Sequence, residues 1–410
     1  MKCKWIKLFV FIFWPFLSQA QWFAENDTFQ THARFLAQAN GFYFLNSNGV
    51  PTHIVNRFLF GGSINQQSID GINQKNATSR FGFDASYGFS FRWRADTLTK
   101  RTFSVAFQNS YLGGGRSPFE LLQLGLNGNN YFDNQPINLA PVQFRFYHLQ
   151  SIDFGMSFQT KNWTITPTLG LSRMIDYNQI EVKTFNLFSS LDSLNYQVDA
   201  RTNASKNSDL KQNGLAVQTG INLQYHQNKW WAALSIQRLG FVVNKWQTTQ
   251  NNYSADTSFT GFRVNDLNSL SLLNIEDSLK LLVKQTKRNT NQQGLMLPAS
   301  FQLKISRLLN NNTDKNLYLV HAGSAFQTHL FQRPLIYLSG QWIKNSKNNF
   351  SIESMLFTGP YSTFDVGLKV SMAAFNKHCI IRFAAPSLSG FINPNKYGNS
   401  SLQIQLAYQW

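Results

Sequence analysis

Charge is scarce in this 410-residue chain: 14% of its residues are charged, against about 25% in ordinary soluble domains. Acidic residues are the scarcer sign, with 20 Asp and Glu against 37 Lys and Arg and a formal net charge of +17. Cysteine is nearly missing, with only Cys3 and Cys379. No apolar run approaches the ~20 residues that a membrane-spanning helix needs. These shortages exclude a helical membrane protein, a charge-rich disordered chain and a small disulfide-stapled domain. The hydrophobic share is ordinary at 43%, yet mean hydropathy is −0.27. Uncharged polar residues, chiefly Asn, Gln, Ser and Thr, therefore fill the place of the missing charge. That balance suits an all-β chain whose apolar and polar residues alternate one for one.

The N-terminus reads differently from the rest. Lys2, Lys4 and Lys7 precede the apolar stretch Leu8 to Leu17, and Ser18-Gln19-Ala20 has the small-x-small form of a signal-peptidase site. The stretch is too short to cross a hydrocarbon core of about 30 Å, so residues 1–20 are expected to be a cleaved signal peptide. Cleavage removes three lysines and Cys3, taking the net charge from +17 to +14 and leaving Cys379 as the one thiol.

Period-2 alternation dominates the mature chain. Phe81, Phe83, Ala85, Tyr87, Phe89, Phe91 and Trp93 alternate with Gly82, Asp84, Ser86, Gly88, Ser90 and Arg92, which predicts a strand apolar on one face. Ala95-Asp96-Thr97 turns it into a second strand carrying Phe103, Val105 and Phe107. Alternation then runs unbroken from Val142 to Phe158, turns at Thr160-Lys161-Asn162, and resumes through Trp163, Ile165, Leu169 and Leu171. Pro167 in that strand either weakens the assignment or marks a bulge. Further strands are expected at Val217–Tyr225, Trp230–Ile236, Phe301–Ile305, Leu317–Gly323, Ile336–Trp342, Phe350–Phe357, Phe364–Met372, Cys379–Phe383 and Leu402–Trp410. With one more at Ile54–Ile64, the count is about fourteen.

Connection lengths alternate as well. Short ones fall near Asp96, Lys161, Gln227, Asn311, Ser346 and Asn376, and longer ones near Gly71, Gly125, 175–214, 244–298, Gln327, Gly359 and Pro394. Bacterial outer-membrane barrels alternate short periplasmic turns with long external loops in this way, and an even strand count puts both termini in the periplasm. Trp93, Trp163, Trp230, Trp342 and Trp410 all lie at short-turn ends, as an interfacial aromatic girdle would. Leu402, Ile404, Leu406, Tyr408 and the terminal Trp410 alternate in the last strand, which resembles the signal read by the barrel assembly machinery.

The expected fold is thus an all-β transmembrane antiparallel barrel of about fourteen strands with long external loops carrying short helices. Its organisation is a signal peptide at 1–20, an N-terminal periplasmic or lumenal segment at 21–50, and an outer-membrane barrel at 51–410. Segment 21–50 alternates weakly and reads as a hatch or a periplasmic extension. Helices are expected where Phe119, Leu121, Leu122, Leu124 and Leu126 precede Asn127-Gly128, and at Leu272, Ile275, Leu279 and Leu282.

Catalytic and metal-binding patterns do not emerge. The seven His show no ligand spacing, Gly113-Gly114-Gly115-Arg116-Ser117 lacks the Lys-Ser/Thr of a phosphate loop, and no cofactor is expected. A His148–Ser151 pairing is the nearest approach to a hydrolase, and a histidine at the membrane rim is the simpler reading. The chain is therefore not expected to be an enzyme. Alternation puts Arg92, Arg145, Lys304, Lys369 and Arg382 in the lumen against Asp84, Asp153, Glu353 and Asp365, nearly in balance. The basic excess then falls on turns such as Lys100, Lys161, Lys229, Lys315, Lys347 and Lys377, which can meet outer-membrane lipid headgroups. Export and the lack of a basic recognition helix argue against nucleic acid.

Phe119 to Asn129, the strand pair Ile152 to Leu171, Leu297-Pro298 and Gly390-Phe391-Ile392-Asn393-Pro394 together give the chain a resemblance to a Bacteroidota outer-membrane β-barrel family of unknown function, in the style of fatty-acid-transporter-like barrels. A weaker resemblance is to membrane proteins of the type IX secretion apparatus. The first implies fold and outer-membrane location, with no functional residues to carry over. The resulting expectation is a channel or transporter for small solutes, hydrophobic ones among them. The competing one is a non-conducting structural or accessory subunit of an envelope or type IX secretion-like complex, with envelope proteins as partners.

Overall fold

A computed structural model describes residues 34–51, 54, 78–96, 101–127, 132–190, 193–205, 213–244, 246–259, 284–292, 294–310, 316–330, 333–344, 349–359, 364–375, 378–394 and 397–410. The wall runs from β1 (Phe35–Ser47) to β2 (Thr78–Asp96) and β3 (Arg101–Pro118), then past a short β4 (Pro136–Asn138) to β5 (Val142–Gln159) and β6 (Trp163–Ser189). It continues past β7 (Leu194–Ser205) to β8 (Gly214–Gln227) and β9 (Trp230–Val242), then past β10 (Trp246–Phe259) and β11 (Lys284–Gln292) to β12 (Ser300–Asn310). The last strands are β13 (Asn316–Gln327), β14 (Leu335–Lys344), β15 (Phe350–Thr358), β16 (Asp365–Ala374), β17 (Cys379–Ala385) and β18 (Ser400–Gln409). Fourteen of these form a closed antiparallel barrel, sealed by the β1–β18 ladder from Leu36↔Gln409 to Leu45↔Ser400. Closure leaves the ring with no free edge, the condition for strands to cross a bilayer.

Burial runs opposite to that of a water-soluble protein. Across the middle of the wall the apolar side chains face outward and are exposed, with Leu169 at 62% and Phe154 at 55%, while the polar face is turned in and covered, with Gln405 at 3% and His321 at 0%. Water would penalise so much contiguous exposed apolar surface, whereas hydrocarbon does not. The barrel is therefore a membrane-spanning one.

The fourteenth strand is not where alternation places it. Apart from Ile54, the range 54–64 lies outside the described residues, as does the expected helix at 272–282. The strand that completes the ring is β1, inside the range 21–50 assigned to a hatch or periplasmic extension, and it pairs with β2 along its whole length. Its alternation is weak because the inward face changes character partway: Gln38 and Asn40 give way to Phe42 and Phe44, so Gly41 to Leu45 reads apolar on both faces. Pro167 causes no bulge. Gly155↔Thr168 and Phe158↔Ile165 keep one register on either side of it.

The β2–β3, β5–β6, β8–β9, β12–β13, β14–β15 and β16–β17 pairs have their closely spaced ends at one end of the barrel, where the backbone N–H of Phe35 also meets the carbonyl of Trp410 at 3.1 Å. The long connections share the other end. The expected helix over Phe119–Asn127 is present as α1, but 175–214 is largely strand and 244–298 carries the two strands β10 and β11. β6 runs for 27 residues, about 90 Å at 3.3 Å per residue. Its first half pairs with β8 and its second half with β7 and β4. β7 pairs with β10, and β10 with β11. These strands raise one side of the wall well beyond a bilayer. Their sequence hides this in part: the residues of β10 are mostly Asn, Gln, Ser and Thr and show little hydrophobic period, and β7 alternates only from Leu194 to Arg201.

Candidate functional site

The lumen is layered. At its middle, β12 to β18 turn a band of polar groups inward. Glu353 lies 3.4 Å from Lys369 Nζ, accepts a 2.7 Å hydrogen bond from the Ser339 hydroxyl, and interacts electrostatically with Lys304 and His321. His321, fully buried, has Nε2 3.1 Å from Gln341 Oε1 and Nδ1 2.8 Å from the Ser306 hydroxyl. The tautomer that suits both donates from Nε2 and accepts at Nδ1. Arg382 donates to Gln405 Oε1 at 2.9 Å. Three cations and one carboxylate thus share one side of the lumen, largely buried: Lys304 is 3% and Glu353 1% exposed.

The opposite side leans acidic. Asp84 and Asp153 flank Arg238, which interacts electrostatically with both. Gln218 donates to Asp153 at 2.6 Å, and Gln327 donates to Asp84 at 3.4 Å. β2 and β13, which carry that last pair, stand seven places apart in the ring of fourteen. A circular ring of that size, with strands about 4.8 Å apart and tilted about 40°, would be about 28 Å across, far more than these two side chains can bridge. The wall is pinched inward at this level.

Arg238 is the lumenal charge that simple alternation misses. Two residues of β9, Gln237 and Arg238, oppose Gly220 alone on β8, and Arg238 adopts φ +57°. The bulge turns an otherwise outward position inward. A Cβ on Gly220 would lie 2.8 Å from the Ile236 carbonyl oxygen, so glycine permits the close approach. The sequence carries a trace of this phase shift, since Leu234 and Ile236 are followed by Leu239 and Phe241. Arg80 and Arg116 share the parity of Asp84 and face each other across β2 and β3, so the interior is more basic than near balance. Replacing Arg238 with Met is expected to destabilise the barrel by about 3 kcal/mol, because two carboxylates then lie buried without their cation. Urea unfolding in detergent checks this, and adding Asp84→Asn and Asp153→Asn should restore most of the loss.

The remaining predicted lumenal charges are dispersed. Arg145 donates to His329 Nδ1 at 3.2 Å near the long-loop end. Asp365 accepts from the Ser387 hydroxyl and the Ser389 backbone N–H, tying the segment before β18 to β16. Arg92 shares the inward parity and lies opposite Leu36, near the short-turn end.

Toward the long-loop end the lumen becomes apolar. Leu112, Tyr147, Leu149, Met174, Tyr177, Ala216, Val242, Trp246, Leu297 and Leu330 form one buried cluster. Tyr177 lies 5.3 Å from Tyr147 and 5.9 Å from Trp246, ring centre to ring centre. Trp246 Nε1 is buried and finds no acceptor among the described residues. A second apolar cluster, with Phe42, Phe44, Tyr337, Met355 and Phe357, lines the facing wall. Composition hides this layer because its side chains come from many separate strands and connections.

Outside, the five tryptophans stand at the short-turn end. Phe35 stacks on Trp410 at 5.6 Å, Trp93 on Phe103 at 5.6 Å, Trp163 meets Tyr225 at 4.7 Å, Trp342 sits edge-on to Phe350 at 6.2 Å, and Arg307 lies over Trp230 at 5.1 Å. Leu402, Ile404, Leu406, Tyr408 and Trp410 share the outer face of β18. The His148–Ser151 pairing does not form. His148 Nε2 lies 3.0 Å from Asn109 Oδ1 and Nδ1 3.4 Å from Asp176 Oδ2, while the Ser151 hydroxyl turns to Asp153.

No protein-family model and no curated protein matches the chain. Among solved structures it is similar to the toluene transporter TodX of P. putida, at 10% identity and a TM-score of 0.48, over 93% of this chain and 91% of that one. It is also similar to the toluene transporter TbuX of Ralstonia pickettii, at 11% identity and a TM-score of 0.45, over 93% and 90%. A third is a Pseudomonas aeruginosa FadL homologue, at 9% identity and a TM-score of 0.39, over 92% and 90%.

Proposed function

We propose that this barrel sits in the outer membrane with its short turns and both ends of its wall in the periplasm, and that it admits small hydrophobic solutes from outside. The observation that carries this reading is the buried aromatic and aliphatic cluster around Trp246, at the long-loop end of an otherwise polar lumen. A purely aqueous pore has no use for such a layer, whereas an apolar solute leaving water gains about 25 cal/mol per Å² of surface it buries there. The unpartnered indole N–H of Trp246 offers one hydrogen bond to a solute carrying an acceptor.

The test is binding of the apolar fluorophore N-phenyl-1-naphthylamine to the refolded barrel in nanodiscs, with empty nanodiscs as the blank. Saturable binding that falls about tenfold or more in both Leu149→Asp and the milder Tyr177→Ala supports the reading, given the apolar area lost. Binding that is absent, or indifferent to both changes, contradicts it.

The accessory-subunit reading rests on the raised wall of β6, β7, β10 and β11, which stands far enough from the bilayer to meet another protein. Recovery of a stoichiometric envelope partner after crosslinking in cells favours it, and a solitary barrel weakens it. The assembly machinery is the other expected partner, through β18. Deleting Trp410 should lower the membrane-assembled fraction in cells several-fold while leaving refolding in detergent intact, as read by heat-modifiable migration in gels.

A further inference from the structure

The raised wall carries a feature that solute passage through the lumen does not use. Near its outer tip, four strands bring side chains into transverse rows. Asn138 of β4 lies opposite Asn186 of β6, Asn186 opposite Gln197 of β7, and Gln197 opposite Asp256 of β10. Two residues further out, Pro136, Phe188, Asn195 and Ser258 form a second row on the same face. Directly paired residues in an antiparallel sheet share a face, so eight side chains of two adjacent rows point together. Through the ladders of β5 and β6 this face continues the lumenal side of the wall. A cavity of about 470 Å³ lies over the rows.

The chemistry of this lining is narrow. Its polar groups are three asparagines, a glutamine, a serine, the Tyr196 phenol and one carboxylate, and no Lys or Arg lines it. An anionic ligand would meet Asp256 and no cation. A planar amide presents a donor and an acceptor side by side, which matches a pair of neighbouring hydroxyls. Asn186 Nδ2 donates to Gln197 Oε1 at 3.1 Å and Asn138 Oδ1 accepts from the Ala140 backbone N–H at 3.0 Å. Asn186 Oδ1, Gln197 Nε2 and Asn138 Nδ2 take no part in these bonds, and all three residues line the cavity. Phe188 and Pro136 supply an apolar strip at the side, suited to the C–H face of a sugar ring. The volume is enough for about two pyranose units, within the range of ordinary ligand sites.

We infer that the Asn138–Asn186–Gln197–Asp256 row is a binding site for neutral saccharide on the lumenal side of the raised wall, near its outer tip. A free oligosaccharide and the outer sugars of lipopolysaccharide are the two sources of such a ligand, and both present the same hydroxyl pairs.

The full chain, refolded in nanodiscs, is titrated with three probes: a neutral oligosaccharide panel, core oligosaccharide released from lipopolysaccharide, and intact lipopolysaccharide. Each is repeated with Asn186→Ala/Gln197→Ala and with the milder Asn186→Asp, and heat-modifiable migration verifies each fold. Binding of the neutral panel that falls about tenfold or more in the double variant, the loss of about two hydrogen bonds, assigns the site to free glycan. Binding of released core and intact lipopolysaccharide alone, with the same loss, assigns it to the surface lipid's sugars. Failure of all three probes to bind the folded wild type, or binding unchanged in the double variant, overturns the inference. Because Asn186 and Gln197 lie far from Trp246, N-phenyl-1-naphthylamine binding should be unchanged in the variant, so the lumenal reading and this one fail separately.

Discussion

Arginine in place of Leu169 is expected to destabilise the barrel by about 2–4 kcal/mol, the cost of a cation on the lipid face at mid-depth. Leu169 is 62% exposed and lies outward on β6, six residues from Trp163 of the proposed girdle. At about 3.3 Å per residue and a tilt of about 40°, that is about 15 Å from the girdle, close to the centre of an apolar band about 25 Å tall. The same change on an exposed site of a water-soluble sandwich would alter stability by no more than about 0.5 kcal/mol. Urea unfolding in lipid vesicles separates the two. A loss within about 0.5 kcal/mol would show that this face does not meet hydrocarbon.

Removing Glu353 should be costlier still. Its carboxylate is the one acid among Lys304, Lys369 and Arg382, it is buried, and it holds the Ser339 hydroxyl. Glu353→Ala leaves three cations facing one another where water does not reach, a loss of about 3–5 kcal/mol. Lys369→Met in the same chain should recover a large part, because it removes the cation 3.4 Å from the missing carboxylate. A double-variant cycle in detergent measures the coupling. Additive losses, or a Glu353→Ala variant as stable as the wild type, would mean that water reaches the band and screens it.

The two predictions probe opposite faces of one wall, and the two faces are legible in the sequence to different degrees. The outer face shows because lipid demands uniform apolarity there, so Phe81 to Trp93 and Leu402 to Trp410 keep strict period. The inner face is less regular. It holds amides, charges and aromatics in layers, so β1 loses its alternation at Gly41 to Leu45 and reads as part of a hatch. Above the bilayer no face is constrained by lipid, so β10 and β11 become largely polar on both sides and, with the short alternation of β7, read as loops. Of the lumenal charges, parity places Glu353 and Lys369 on the inner face, and the two do meet. It misses Arg238, because one extra residue in β9 reverses the phase. Pairings across the lumen, such as Asp84 with Gln327, depend on the pinch of the ring and have no local sequence signal.

One practical consequence concerns truncation. A chain lacking residues 21–50 would lose β1 and with it the β1–β18 closure, so a variant meant to test an N-terminal hatch must retain Phe35 onward.

The central claim is that this wall spans a bilayer with its tryptophan girdle at one interface. It is tested most directly by quenching of tryptophan fluorescence in vesicles whose lipids carry bromine either near the headgroup or deep in the acyl chain. The account predicts strong quenching by the shallow label and weaker quenching by the deep one, and loss of the shallow-label quenching when Trp93, Trp163, Trp230, Trp342 and Trp410 are all replaced by Phe. Emission indifferent to both labels in a folded, vesicle-associated chain would contradict it.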